Sequence, residues 1–165
     1  MSRLLKVAAA QLGPIQRTDD RQSVVKRLIE LLRNAHSLKA ELVVFPELAL
    51  TTFFPRWFVE DISQANHWYE TQMPSPVTQP LFDEAKKLGV GFCLGYAELT
   101  PDGERFNTQI LVERNGKSSP NIARCIFLVT NKTNPIVRFN TPSVTTSNPA
   151  TRVLGYGTHL VVALE

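Results

Sequence analysis

The chain has 165 residues, of which 43% are hydrophobic and 20% charged, and its formal net charge is +3. This composition suits one globular domain and excludes an intrinsically disordered chain. The basic residues are scattered, which favours an ordinary solvated surface over a nucleic-acid interface, and no apolar run is long enough to span a membrane. Two cysteines predict no disulfide framework, so we expect a cytoplasmic domain.

The first third of the chain predicts strand, helix and strand. Leu4 to Gln11 is apolar with one charge near its start, which indicates a buried parallel strand and not a signal peptide. Asp19 and Asp20 provide an N-cap for a helix that should end near Lys39. A second buried strand is expected at residues 41–45, where the following proline closes it.

The middle of the chain predicts a second helix and two more strands. The apolar spacing from Leu81 to Leu88 predicts a helix, and Gly89 should end it. Residues 90–95 and 106–113 read as strands three and four, and an Asn-Gly turn follows. This alternation predicts an α/β fold. So few helices cannot cover both faces of such a sheet, which indicates layers that are missing or supplied by a partner.

The composition changes abruptly after Lys117. From Ser118 to Leu164 there is no Asp or Glu, and the segment is rich in Thr, Asn, Ser and Pro without a helical period. We therefore divide the chain into a folded part, residues 1–117, and an aberrant tail, residues 118–165. Two apolar runs in the tail, 126–129 and 160–164, have the propensity to form strands.

Glu47 is the candidate site residue because it lies just past the end of the second predicted strand. Sites in α/β sheets are built at the carboxyl ends of strands. The four aromatic residues near it in sequence are Phe45, Phe53, Phe54 and Trp57. If they desolvated the carboxyl group, its pKa would rise and it would serve as a general base near neutrality. On residue type alone, a solvated loop acid is the commoner alternative.

Residues 45–57 carry a family resemblance. F-P-E-L is similar to the glutamate motif of the nitrilase superfamily of carbon–nitrogen hydrolases, and F-P-E-L-A-L-T-T-F-F-P-R-W resembles N-carbamoyl-D-amino acid amidohydrolases in particular. Supporting segments are residues 10–15, 69–74, 95–99 and 105–108. The resemblance implies a nitrilase-type α-β-β-α sandwich, here truncated. It also implies a small-molecule substrate and a homo-oligomer, and we expect no cofactor. The residues themselves predict no nucleic-acid or membrane partner and no metal, because the basic residues are scattered, no apolar run spans a membrane and the three histidines are isolated from other metal-ligand residue types.

The resemblance also implies the chemistry, which uses a Glu, a Lys and a Cys. Glu47 is then the general base that takes the proton of the thiol, the thiolate attacks the carbamoyl carbon, and the lysine stabilises the oxyanion. Ammonia leaves, and water releases a carbamate that decays to carbon dioxide and a D-amino acid. Arg56 is a possible pocket neighbour. The alternatives are another superfamily amidase, such as a β-ureidopropionase-like enzyme, and a non-catalytic domain.

The lysine and cysteine motifs of that family do not occur in the chain. Lys132, Cys93 and Cys125 all lack the neighbouring residues that the family places around them. We hypothesise that the tail is the family sequence read one base out of frame. Back-translation from the third base of each codon lets residues 120–131 read K-Y-R-K-V-H-L-P-G-H-K, and residues 146–162 yield further family-like strings. We accordingly expect the 165-residue chain alone to show no turnover.

Overall fold

A computed structural model describes residues 4–126, 151–156 and 159–164 of the chain. The elements are β1 (Val7–Ala9), α1 (Arg21–Ser37), β2 (Leu42–Val44), two 3-10 helices (Phe54–Arg56 and Ile62–Trp68), α2 (Gln79–Leu88), β3 (Gly91–Leu99), β4 (Arg105–Val112), β5 (Ser118–Ile126), β6 (Thr151–Tyr156) and β7 (His159–Leu164). The predicted alternation of strands and helices is present in the order expected.

Five strands form one mixed sheet in the order β1-β2-β3-β4-β5. The first three are parallel, as in a β-α-β unit, whereas β4 and β5 are antiparallel to their neighbours. Strands β6 and β7 pair antiparallel as a separate two-stranded sheet. The α/β prediction is confirmed, and part of the predicted tail contributes a strand to the main sheet.

Both helices begin and end where their capping residues allow. Asp20 caps α1 by accepting a hydrogen bond from the Ser23 backbone N–H at 2.7 Å. α2 ends at Gly89, whose φ of +65° is a left-handed conformation that glycine adopts without a steric penalty. Among the described residues, none of the helices has the length and apolar character needed to cross a membrane.

The helices cover one face of the main sheet. Val24, Leu28 and Leu32 of α1 are completely buried against it. The sheet and α2 contribute the other large buried side chains of this core, namely Val43, Phe45, Leu81, Phe82, Phe92, Leu94, Tyr96, Ile110 and Val112. Burying each such side chain contributes about 1.5–3 kcal/mol, so this face holds the sheet and helices together.

The opposite face of the sheet has no α-helix over it in the described part of the chain. Segment 45–70, with its two 3-10 helices, packs against Ala97 of β3. β1 lies at an edge of the sheet, where Val7 remains 50% exposed and Leu5 44% exposed. The prediction of a buried first strand is therefore wrong in its burial, although its parallel pairing is right. An apolar run indicates burial only when the fold covers both faces of the strand, and the described residues place α-helices on one face alone.

Strand β5 was not predicted, because the composition changes and Pro120 interrupts the segment. Proline lacks a donor for the ladder and is tolerated in edge strands and at bulges. β5 is an edge strand, and its pairing with β4 shifts register between Ile110 and Val112. Of the two apolar runs that the sequence indicated in the tail, 160–164 lies in β7, while 127–129 lies outside the described residues.

Candidate active site

Glu47 lies in a segment that packs directly onto β3. The Ala49 N–H donates to the Gly95 carbonyl at 2.9 Å, and the Phe45 N–H donates to the Cys93 carbonyl at 3.0 Å. A Cβ on Gly95 would lie 3.1 Å from the Glu47 Cα and 3.2 Å from the Pro46 carbonyl oxygen. The missing side chain at Gly95 is therefore what lets the backbone of Glu47 approach the strand so closely.

A strand amide orients the Glu47 carboxylate. Asn107 of β4 lies opposite Ala97 of β3, and its Nδ2 donates a hydrogen bond to the Glu47 Oε1. Glu47 is nevertheless solvent-exposed, so the expected desolvation by neighbouring aromatic residues is wrong. Phe45 and Phe54 are 3% and 1% exposed and belong to two separate buried clusters. The amide contact is thus the evident means by which the fold fixes this acid.

Glu47 lines a cleft of about 380 Å³ between two loops. One wall is residues 12–16, and the other comprises residues 46–49, 51–53 and Arg56. Arg27 of α1 holds the first wall in place, since its guanidinium donates to the Leu12 and Pro14 carbonyls at 2.7 and 3.1 Å. Two segments that carried the family resemblance thus meet at one cavity, and the predicted proximity of Arg56 to the pocket is confirmed.

A cluster of aromatic residues supports the far end of the cleft. Phe54 stacks on Trp68 with ring centroids 5.1 Å apart and an interplanar angle of 9°, and Trp57 lies 5.8 Å from Trp68. Tyr69 completes this aromatic cluster, and burial raises its pKa to about 12, so its hydroxyl remains protonated at neutral pH. The cluster fixes the 3-10 helices and hence the position of Arg56.

Glu70 fastens the end of segment 45–70 to the sheet, and a second acid, Glu98, links β3 to β4. Glu70 pairs its backbone with β3, donating to the Ala97 carbonyl at 2.8 Å. Its buried side chain forms an ion pair with Arg21 of α1. Burial raises the pKa of Glu70, while the Arg21 charge opposes that rise. Glu98 accepts a hydrogen bond from the Thr108 hydroxyl at 2.6 Å. Glu70 and Glu98 thus stabilise contacts between elements of the fold, and neither lines the cleft.

The two cysteines lie in β3 and β5 of the main sheet, with β4 between them. Cys93 is half-buried in β3, and burial raises the pKa of its thiol, which keeps it protonated near neutrality. Cys125 lies in β5, in register opposite Asn107, so its backbone position is next to the residue that contacts Glu47. Lys132, the lysine considered from sequence, lies outside the described residues.

Sequence reasoning located the acid but missed the residues that position it. Gly95 and Asn107 were recognised only as parts of family-like segments, and a glycine inside a strand was the available signal for close backbone approach. In the ranges that the structure describes, no group of three His, Cys, Asp or Glu side chains is placed to hold a metal ion. The arrangement found is a single oriented carboxylate beside an open cleft.

Comparison with known proteins gives one family match and several structural matches. The carbon–nitrogen hydrolase family model matches residues 6–161. An N-terminal amidase is similar with a TM-score of 0.58 and 22% identity, over 75% of this chain and 28% of that protein. Nit3 of Saccharomyces cerevisiae, a member of branch 10 of the nitrilase superfamily, is similar with a TM-score of 0.58 and 23% identity, over 73% of this chain and 43% of that protein. A carbon–nitrogen hydrolase of Helicobacter pylori G27 is similar with a TM-score of 0.56 and 16% identity, over 73% of this chain and 39% of that protein.

These similarities concern the fold, and they match the nitrilase-type architecture expected from sequence. The chain spans less than half the length of each of the three proteins. The described residues provide one helical layer and one five-stranded sheet, together with the two-stranded sheet of β6 and β7.

Proposed function

The chain belongs to the carbon–nitrogen hydrolase family, and from that premise we propose that its parent enzyme hydrolyses N-carbamoyl-D-amino acids with Glu47 as the general base. The products are a D-amino acid, carbon dioxide and ammonia. One observation carries the proposal: the Glu47 carboxylate is hydrogen-bonded by Asn107 and lines a cleft of about 380 Å³. A cleft of this size lies within the range of pockets that take small molecules.

Glu47 acts on a thiol in the proposed reaction. A thiol is mostly protonated at neutral pH, so a carboxylate must take its proton before the sulfur can attack the carbamoyl carbon. The Asn107 Nδ2 donates a hydrogen bond to the Glu47 Oε1, and Glu47 itself lines the cleft in which the thiol and the substrate would meet. Glu47 then gives that proton to the departing nitrogen, so ammonia leaves and the carboxylate is restored. The same carboxylate accepts a proton from water, and the hydroxide formed attacks the carbonyl of the thioester intermediate. The carbamate is released, and Glu47 returns the proton to the departing thiolate.

The substrate class rests on residues 45–57, whose sequence is the most specific part of the resemblance. Eight residues of this run line the cleft, and Thr51, Thr52 and Arg56 are among them together with Glu47. The two threonines are buried, and the Thr51 hydroxyl donates to the Thr52 carbonyl at 2.9 Å. The run therefore contributes much of the cleft lining. Its sequence, through the family resemblance, favours a D-carbamoylase over a β-ureidopropionase-like amidase.

The reading frame is the second part of the proposal. Since the lysine and cysteine motifs are absent from the present sequence, we expect the 165-residue chain to release no ammonia from N-carbamoyl-D-amino acids. Insertion of one base near the codon for Lys117 should restore both motifs and the activity. Sequencing the gene from that codon to beyond Glu165 tests the frame directly, because a nucleotide sequence that cannot encode K-Y-R-K in the displaced frame contradicts it.

The role of Glu47 is tested in the frame-corrected enzyme. Removing a general base costs about 10²–10⁴-fold in rate, so Glu47→Gln should lower kcat by that factor. Asn107→Leu should lower kcat by a smaller factor, because the base survives but loses its orientation. Glu104→Gln is the matched control, since Glu104 is exposed just before β4 and does not line the cleft. Equal activity of Glu47→Gln and the unmodified enzyme would refute the proposal.

A substrate panel separates the candidate activities of the same enzyme. N-carbamoyl-D-amino acids should be hydrolysed, whereas N-carbamoyl-β-alanine and simple aliphatic amides should not. Preference for N-carbamoyl-β-alanine would instead favour the β-ureidopropionase-like alternative. If the frame-corrected enzyme hydrolyses none of these compounds, a non-catalytic domain becomes the better description.

A further inference from the structure

Two arginines beside the cleft differ from four others that are paired with carboxylates. Arg21, Arg27, Arg33 and Arg114 all form ion pairs with carboxylates. Arg17 and Arg56 are exposed, and neither has a carboxylate partner among the described residues. Exposed guanidinium groups without counter-ions create a positive local potential, which attracts anions from solution.

Both of these side chains lie against the same indole. The guanidinium carbon of Arg56 is 4.8 Å from the Trp57 ring centroid, and that of Arg17 is 5.3 Å from it. Arg17 also lies 5.7 Å from the Trp68 ring. Stacking on aromatic rings holds a guanidinium in place and leaves its N–H groups free to bind a planar anion in a bidentate manner. Two like charges are thus retained close together by the aromatic cluster.

The arginine pair is continuous with the cleft that contains Glu47. Arg56 itself lines the cleft, and Arg17 directly follows Gln16, which lines the opposite wall. The cavity therefore has an acid on one wall and a basic rim. A ligand that carries a carboxylate at one end is repelled by Glu47 and attracted by the rim, so its uncharged end is directed towards Glu47.

We propose that Arg17 and Arg56, held on Trp57, form an outer carboxylate-binding subsite at the mouth of the cleft. The subsite captures the carboxylate of an N-carbamoyl amino acid and orients the molecule as it enters. It deepens the proposed function and rests on it for the identity of the ligand. Its contribution is to binding and not to the chemical step, because both arginines are exposed and lie at the rim.

The 165-residue chain itself provides the assay. Trp57 and Trp68 are its only tryptophans, so intrinsic tryptophan fluorescence reports on this cluster alone. The probes are N-carbamoyl-D-phenylalanine and the same compound with its carboxyl group converted to a primary amide. We expect the acid to bind more tightly than the amide, and the difference to shrink with added salt.

Substitutions assign the effect to the arginines. Arg56→Gln should weaken binding of the acid roughly tenfold, the loss expected for a hydrogen bond to a charged group, and should leave binding of the amide unchanged. Arg17→Gln should act in the same direction. Lys26→Gln on α1 removes the same charge away from the cleft and should have no effect. Arg56→Lys, with circular dichroism as a check of folding, should retain part of the affinity.

The outcomes separate this subsite from the proposed function. Equal affinity for acid and amide, no binding of either, or an acid preference that survives both arginine substitutions would overturn the subsite. Glu47→Gln should preserve the acid preference even though it abolishes hydrolysis in the frame-corrected enzyme. An arginine-dependent acid preference in a protein that never hydrolyses the substrate would therefore refute the proposed function and leave the subsite standing.

Discussion

Gly95→Ala should move Glu47 without touching its side chain. The added Cβ would lie 3.1, 3.2 and 3.3 Å from the Glu47 Cα, the Pro46 carbonyl oxygen and the Leu48 N. All three are backbone atoms, so no flexible side chain can relieve the contact. Leu48 already has a φ of +50°, which leaves this segment little freedom to adjust. The segment must therefore shift away from β3.

The cost is that of inserting a methyl group into a filled space, about 1–3 kcal/mol in the free energy of unfolding. Urea denaturation measures this total. Hydrogen exchange at Ala49 measures the local part, because its N–H donates to the Gly95 carbonyl at 2.9 Å and this bond should lengthen. In the frame-corrected enzyme, kcat should fall with the displacement of the carboxylate.

Gly89→Ala is the matched control. A Cβ there meets nothing within 4 Å, but its φ of +65° makes alanine unfavourable by about 1 kcal/mol. Gly89→Ala should lower the global free energy of unfolding. Hydrogen exchange at the Ala49 N–H should change only by the amount that this global loss accounts for. Surface changes usually alter the free energy of unfolding by less than about 0.5 kcal/mol. If Gly95→Ala stays within that range and hydrogen exchange at Ala49 is unchanged, the close approach of the two backbones does not position Glu47.

Two further predictions concern the supports of the site. Phe54→Ala should lower the free energy of unfolding by about 3–5 kcal/mol and shift tryptophan fluorescence, because Phe54 is 1% exposed and stacks on Trp68. Phe53 is 49% exposed, so Phe53→Ala should change the free energy of unfolding by less than about 0.5 kcal/mol. Similar losses for both substitutions would contradict this packing. Arg21→Gln should cost about 1–3 kcal/mol at neutral pH, where it leaves the buried Glu70 carboxylate unpaired. Because burial raises the pKa of Glu70 in the folded protein, the folded state takes up its proton first as the pH falls. The cost of Arg21→Gln should thus shrink below that pKa, and a loss independent of pH in urea titrations would contradict the assignment.

Local sequence patterns were sufficient for most of the secondary structure. The helical period of α1, its Asp20 cap and the Gly89 stop of α2 are encoded within each segment, so they were predicted from short windows. Strand β5 was missed because its pairing with β4 depends on an edge position that tolerates Pro120, and no local pattern reports that position.

The sequence by itself determined the family and the α/β order of elements, and it predicted Glu47 as the acid of the site. Only the tertiary structure decided what holds that acid. Asn107 is 60 residues from Glu47 in the chain, and its contact depends on the register between β3 and β4. The exposure of Glu47 and the pairing of Arg17 with Arg56 on Trp57 likewise depend on how distant segments pack, because hydrophobic periodicity fixes which face of an element is buried but not which side chains from other elements meet there.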